Sequence, residues 1–211
     1  MAIDKIEKKV YKKFQSFNNF SNSNKILAEQ ILNKIFKTYS LNLNQLKKIY
    51  SPNYLEILSN AIEDLKKNKI EHKHQFTLKE NSLAEISSFE GVDMLKYLIH
   101  RYRYEIFPQK KILDDYPPYL QIEPSSVCNY RCVFCFMTDN TFNKKSSGHM
   151  GHMKLELFKE IIDQVEGKIE FLSLASRGEP MINPKISEML NYTVGKFLNL
   201  KINTNASLLN E

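Results

Sequence analysis

All six glycines of this 211-residue chain lie at or after Gly91, and six of its seven prolines lie at or after Pro108. Residues 1–90 thus hold almost nothing that interrupts a regular backbone, which suits a helical region. Leu27, Ala28, Ile31, Leu32, Ile35, Phe36 and Tyr39 recur at helical period and predict a helix over Asn24–Tyr39 with one apolar face. Ser51 before Pro52 reads as an N-cap followed by proline at the first helical position. It opens a second helix that turns Tyr54, Leu58, Ala61, Ile62 and Leu65 inward. A further helix is expected from about Val92 to Ile106, stopping before Pro108.

Pro108–Pro118 reads as a connector, and beyond it the pattern changes. Tyr119–Glu123 predicts a strand, and Cys128–Met153 a long loop. Lys154–Val165 is amphipathic, with Leu155, Phe158, Ile161, Ile162 and Val165 inward, and Gly167 ends it. Ile169–Ala175 is apolar enough for a buried parallel strand. A helix from Pro184 carries Ile186, Met189, Leu190 and Val194 inward and closes at Gly195, and Phe197–Thr204 is a third strand. The order β-loop-α-β-α-β implies an α/β fold with parallel strands and right-handed crossovers. The chain therefore divides into a mainly α-helical region, 1–115, and an α/β region, 116–211, with about three strands. At Ser207–Glu211 a third helix would be starting. A three-strand parallel sheet with an apolar third strand has a long open edge. The expectation is a fragment, or a chain whose partner elements lie elsewhere, poorly soluble or oligomeric when expressed alone.

Composition narrows the setting. Hydrophobic residues make up 42% and charged residues 26%, the balance of a soluble globular protein. The apolar runs are far too short to span a bilayer. The start, MAIDKIEKKVYKKF, has no apolar core of a secretion signal, and Asp4 and Glu7 argue against a transit peptide. A cytoplasmic protein with no membrane partner is expected. The net charge of +6 sits in the front half: residues 1–115 hold 20 Lys/Arg against 14 Asp/Glu, and residues 116–211 hold 10 of each. Such a surplus suits nucleic acid, an acidic redox partner, an acidic substrate or a solvated helical surface. Four of the 30 basic residues are Arg, the better reader of phosphates and bases, so nucleic acid is disfavoured. The stretch LIHRYRYEIF, Leu98–Phe107, mixes basic and aromatic residues, but at helical spacing its aromatics read as core or domain interface.

The three cysteines all lie between positions 128 and 135, which is a poor disulfide framework and a better metal or redox site. Cys128, Cys132 and Cys135 follow the first strand with the spacing C-x3-C-x2-C. Three thiolates can hold three irons of a cubane and leave the fourth without a protein ligand. Structural zinc wants four ligands, and His149 or His152 could complete a Cys3His site. On spacing alone both readings stay open.

The run IEPSSVCNYRCVFCFM, with an aromatic just before the last cysteine, resembles the signature of the radical S-adenosylmethionine (SAM) superfamily. It is similar to the branch whose members often carry a further cluster-binding (SPASM or twitch) region. Arg177-Gly178-Glu179-Pro180, after the second strand, resembles the family's GGEP motif. Asn203-Thr204-Asn205-Ala206, after the third, stands where relatives often read TNG. The likeness covers about residues 116–211, and nothing comparable marks residues 1–115.

The resemblance implies the first half of a partial (β/α)6 radical SAM barrel, with ligands at the carboxyl ends of the strands. It implies an oxygen-sensitive iron–sulfur enzyme that cleaves SAM reductively and uses a 5′-deoxyadenosyl radical to abstract hydrogen from a peptide or small molecule. Cys128, Cys132 and Cys135 would ligate a [4Fe–4S] cluster, and Phe134 would lie near the adenine or pack as a core aromatic beside the cluster. Gly178 would let backbone carbonyls approach the SAM ammonium group. Glu179 would help hold that group, or be a salt-bridged carboxylate at a strand end. A one-electron donor such as flavodoxin or ferredoxin would be a partner. Arg177 departs from the first Gly of GGEP and Ala206 from the Gly of TNG. The rival readings are a zinc-binding interaction module and an iron–sulfur protein with only an electron-transfer or sensing role.

Overall fold

The computed structural model describes residues 22–67, 73–144, 146 and 148–209. The amino-terminal stretch read above for targeting signals, and Glu211, lie outside the described residues. The chain forms two compact units that divide between Tyr102 and Arg103, inside a helix.

The first unit contains α1 (Asn22–Ile49), α2 (Pro52–Lys66), α3 (Glu80–Ile86) and the first half of α4 (Gly91–Lys110). Helix α1 outruns its predicted end at Tyr39 because no breaker follows, and Leu46, fully buried, extends its apolar face. Leu27, expected inside, is 51% exposed near the start of that helix. Ser51 is the N-cap of α2 with Pro52 after it, but its hydroxyl makes no capping bond. The core holds Ile35, Leu58, Ile62, Phe76, Met94 and Leu95. The buried Asp64 carboxylate accepts from Phe76 N at 3.0 Å, tying the end of α2 to the segment before α3.

Helix α4 runs through Pro108 rather than stopping before it. The stop comes from Lys111, which takes a left-handed φ of 56°. Ile112 N donates to Phe107 O and Lys111 N to Pro108 O, a Schellman ending that satisfies the last carbonyls. Leu98, Ile99, Tyr102, Arg103 and Ile106 are all buried, so much of the basic and aromatic stretch is interior.

The second unit is a parallel sheet in the order β1 (Tyr119–Ile122), β2 (Phe171–Leu174), β3 (Asn199–Ile202). Two short pieces follow the cysteines, a 3-10 turn (Phe136–Thr138) and α5 (Asn140–Asn143). Helix α6 (Leu155–Val165) connects β1 to β2, and α7 (Ile186–Thr193) connects β2 to β3. Ile122, Leu172 and Leu174 form one core with Phe158 and Ile162 of α6 and Ile186 and Met189 of α7, so both helices cover one face of the sheet. Burying each of these side chains stabilises the unit by roughly 1.5–3 kcal/mol. Gln121, Ser173 and Lys201, in register across the strands, lie on the opposite face. Val194, expected inside, is 76% exposed, because α7 ends at Thr193 and Gly195 turns the chain at φ 74°.

Arg103 anchors the lower edge of this unit. Its side chain is fully buried and donates to Asp114 Oδ2 at 2.6 Å, Tyr116 O at 2.7 Å and Glu170 Oε2 at 3.3 Å. The end of α4, the connector and the start of β2 are thereby held together. Among the described residues, no helix is long and apolar enough to cross a membrane.

Candidate functional site

All the motif segments lie beyond the carboxyl ends of the three strands, where side chains and backbone groups not used by the sheet become available. The entry to the cysteine loop is clamped by backbone pairing. Ser126 N donates to Gly151 O at 3.0 Å, Met153 N to Pro124 O at 2.9 Å, and Gly151 N to Ser126 Oγ at 2.8 Å. The buried Asn183 spans both strands of this pairing, donating to Pro124 O at 2.7 Å and Met153 O at 3.0 Å. The His-containing loop 148–153 is therefore a short antiparallel arm against residues 124–126. His152 Nδ1 lies 3.1 Å from Ser125 Oγ, and His149 lies beside Phe142.

Cys128, Cys132 and Cys135 are all free thiols of intermediate exposure on one loop. Cys135 N donates to Cys132 O at 2.9 Å, and Thr138 N to Cys135 O at 3.0 Å, so the second half of the loop is two consecutive turns. Arg131 folds back onto the loop, donating to Cys128 O and Tyr130 O at 2.9 Å each. Among the described residues, no three His, Cys, Asp or Glu side chains converge on a point where they could hold a metal ion. Phe134 is 90% exposed and Val133 95% exposed, so the tip of the loop projects into solvent.

Gly178 is required by space and by backbone. Its φ is 65°, and a Cβ there would lie 2.3 Å from Ser125 O and 2.7 Å from both Ser126 C and Val127 O. These are backbone atoms that cannot move aside cheaply. The β2-end loop thus presses directly against the approach to the cysteines, and Glu179 N donates to Val127 O at 2.8 Å.

The Glu179 side chain is 2% exposed and links two strand ends. Oε1 accepts from Met181 N at 2.9 Å and Thr204 Oγ1 at 2.6 Å, and Oε2 accepts from Asn205 N at 2.6 Å. Asn205 continues the chain of contacts to the cysteine loop: its Nδ2 lies 2.9 Å from Asn129 Oδ1 and 3.9 Å from Cys128 Sγ. Cys128, Gly178-Glu179 and Thr204-Asn205 therefore meet in one network, whereas Phe134 stands apart from it.

Arg177 pairs with Glu123 at the end of β1 through Nε at 3.0 Å, Nη2 at 2.8 Å and its backbone N at 2.9 Å. Burial pushes the Glu123 carboxyl up, but the side-chain and backbone hydrogen bonds and the charge of Arg177 outweigh it and hold the group below the usual carboxylate range. Ser176 at φ 124° and Ala206 at φ 61° place two non-glycine residues in left-handed backbone next to these motifs. Sequence reasoning assigned no role to Glu123, Asn129, Asn205 or Ser207. A carboxylate closing β1 opposite an arginine closing β2 was the available signal for Glu123. Asn129 lay in the cysteine-loop run and Asn205 in the TNG-like segment, but nothing in the sequence marked their pairing, because they lie 76 positions apart.

No protein-family model matches the chain, and no solved structure matches it. Over 95 residues it is 30% identical to the tungsten-containing aldehyde ferredoxin oxidoreductase cofactor-modifying protein of Pyrococcus furiosus. The match covers 44% of this chain and 25% of that protein, so the chain spans about a quarter of the length of the curated relative it matches.

Proposed function

We propose that the chain forms the first half of the core of a radical SAM enzyme, a partial (β/α)6 barrel preceded by a helical region. In this reading Cys128, Cys132 and Cys135 hold a [4Fe–4S] cluster, SAM lies against Gly178 and Glu179, and the substrate is a peptide or a small molecule. One observation carries it: three separate strand-end segments, at Cys128, Gly178-Glu179 and Asn205, are joined in a single hydrogen-bonded network. An electron carrier or a zinc module has no need to couple a cysteine loop to the ends of two further parallel strands.

Other features agree. Three free thiols within eight residues are the donor type that iron–sulfur chemistry uses, and their number leaves one iron without a protein ligand. The fit is one of donor type and place. Strand order β1-β2-β3 with both helices on one face suits a sheet that goes on to curve into a barrel. The similar protein is named as one that modifies an enzyme's cofactor, which supports an enzymatic role.

When bound, the cluster and SAM together supply one-electron cleavage of a sulfonium and hydrogen abstraction. The residues of this chain supply placement. Gly178 brings backbone close to Ser125–Val127, leaving room for no side chain between them. Glu179 Oε2 accepts one protein hydrogen bond and keeps a lone pair for a cationic group. Phe134, exposed at the loop tip, is free to pack on an aromatic ligand. Free thiols suit a reducing, cytoplasmic setting, where a flavodoxin or ferredoxin would deliver the electron.

The test is anaerobic reconstitution with iron and sulfide, dithionite reduction, and electron paramagnetic resonance with and without SAM. A reduced-cluster signal that changes shape on adding SAM is expected. Zinc in place of iron, or a cluster signal indifferent to SAM in the protein carrying the rest of the barrel, would overturn the reading.

A further inference from the structure

We infer that Asn205 is a positioning residue for Cys128, setting both the place of that thiol and, in the cluster-bearing protein, its electron demand. The electronic part rests on the iron–sulfur reading above; the positional part does not.

The Asn205 carboxamide has no freedom left. Its Oδ1 accepts from Ser207 N at 3.0 Å and from Ser207 Oγ at 2.7 Å. Backbone Ser207 N can only donate, so Oδ1 must face it and Nδ2 must face the other way, toward the cysteine loop. There Nδ2 meets Asn129 Oδ1 at 2.9 Å and Cys128 Sγ at 3.9 Å, with one proton for each. Asn129 is fixed in turn, because its Nδ2 donates to Ser207 Oγ at 2.8 Å. The backbone of Asn205 is anchored from below by the buried carboxylate of Glu179 at 2.6 Å.

The consequence falls on one cysteine. Cys128 Sγ also receives the backbone N–H of Tyr130 at 3.4 Å, so two N–H groups from different segments point at it. Among the described residues, no other strand end sends a donor to the sulfur of Cys132 or Cys135. Donors aimed at a ligand sulfur favour the more electron-rich state and so raise the reduction potential of the cluster. The sulfur of Cys128 is thereby made unlike the other two.

The experiment uses the whole chain. In the metal-free protein, iodoacetamide alkylation is followed at each cysteine by mass spectrometry. Asn205→Leu removes the donor at nearly constant shape. Alkylation of Cys128 is expected to slow by about threefold or more, the scale of one lost hydrogen bond, because the lost donor no longer favours the nucleophilic thiolate, with Cys132 and Cys135 unchanged. In the anaerobically reconstituted protein, a redox titration read by electron paramagnetic resonance should show the reduced fraction at fixed potential falling. A fall of about tenfold corresponds to about 59 mV for one electron. Asn205→Asp, which adds a negative charge beside the sulfur, should lower it further.

Unchanged or faster alkylation of Cys128 in Asn205→Leu, an equal change at all three cysteines, or an unmoved potential at equal iron content overturns the inference. If Cys128 alone responds but the unaltered chain assembles no cluster, the positioning role stands and the iron–sulfur reading falls.

Discussion

Glu179, on the loop after β2, holds the backbone N–H of Asn205, on the loop after β3, at 2.6 Å. The same carboxylate takes Met181 N and Thr204 Oγ1, so three donors from two strand ends converge on one buried group. Glu179→Gln keeps the shape but turns an amide donor toward one of those donors. The expected loss is about 1–3 kcal/mol in denaturant unfolding, the cost of leaving a buried polar group without its partner. Hydrogen exchange at the Asn205 amide should quicken in the same variant. Equal stability and equal exchange would show that the carboxylate does not organise these loops.

Gly178→Ala should be more damaging. The added methyl would enter backbone at 2.3–2.7 Å while φ stays at 65°. Left-handed backbone costs about 1–2 kcal/mol for an L-residue and overpacking about 1–3 kcal/mol more. A thermal melt should fall sharply, and a melt within error of the unaltered chain would refute the contact with Ser125–Val127.

At Ala206 the sign reverses. Its φ of 61° is one that glycine adopts freely. Ala206→Gly should stabilise the chain by about 0.5–1 kcal/mol, after allowing for the extra freedom glycine gives the unfolded state. A lower midpoint of unfolding would show that Ala206 is unstrained.

The Glu123–Arg177 pair predicts a pH signature. The Glu123 carboxyl lies below its ordinary range when folded, so its contribution is present above the unfolded value of about 4.3. It is lost as pH falls through the lower, folded value. Arg177→Met should therefore cost about 1 kcal/mol at neutral pH, with the difference from the unaltered chain constant down to about pH 5 and shrinking below about pH 4. A difference that does not shrink in acid would assign the cost to lost packing alone.

Arg103→Met removes a fully buried guanidinium from Asp114 and Glu170. Breaking a buried pair by deleting one partner typically costs about 3–5 kcal/mol. Chemical denaturation should show a loss of that order, and a loss under about 1 kcal/mol would mean that neither carboxylate depends on it.

What the sequence by itself determined was whatever depends on near neighbours. Breaker placement separated the helical front from the α/β rear, and helical period placed Phe158 and Ile162 on the buried face of α6. Gly167 and Gly195 marked helix ends because they alone take left-handed φ there at little cost. The spacing of Cys128, Cys132 and Cys135 marked the candidate site because one short loop carries all three. Local pattern failed where tertiary packing outweighed it. Helix α4 continued through Pro108, and the basic stretch around Arg103 turned inward because Asp114 and Glu170 were waiting for the charge. Tertiary structure alone decided that Glu179 would hold Asn205, that Asn205 would face Cys128, and that Gly178 would touch Ser125–Val127. These partners are brought together by sheet register and crossover helices, and a hydrogen bond between residues tens of positions apart leaves no periodic trace in the chain that forms it.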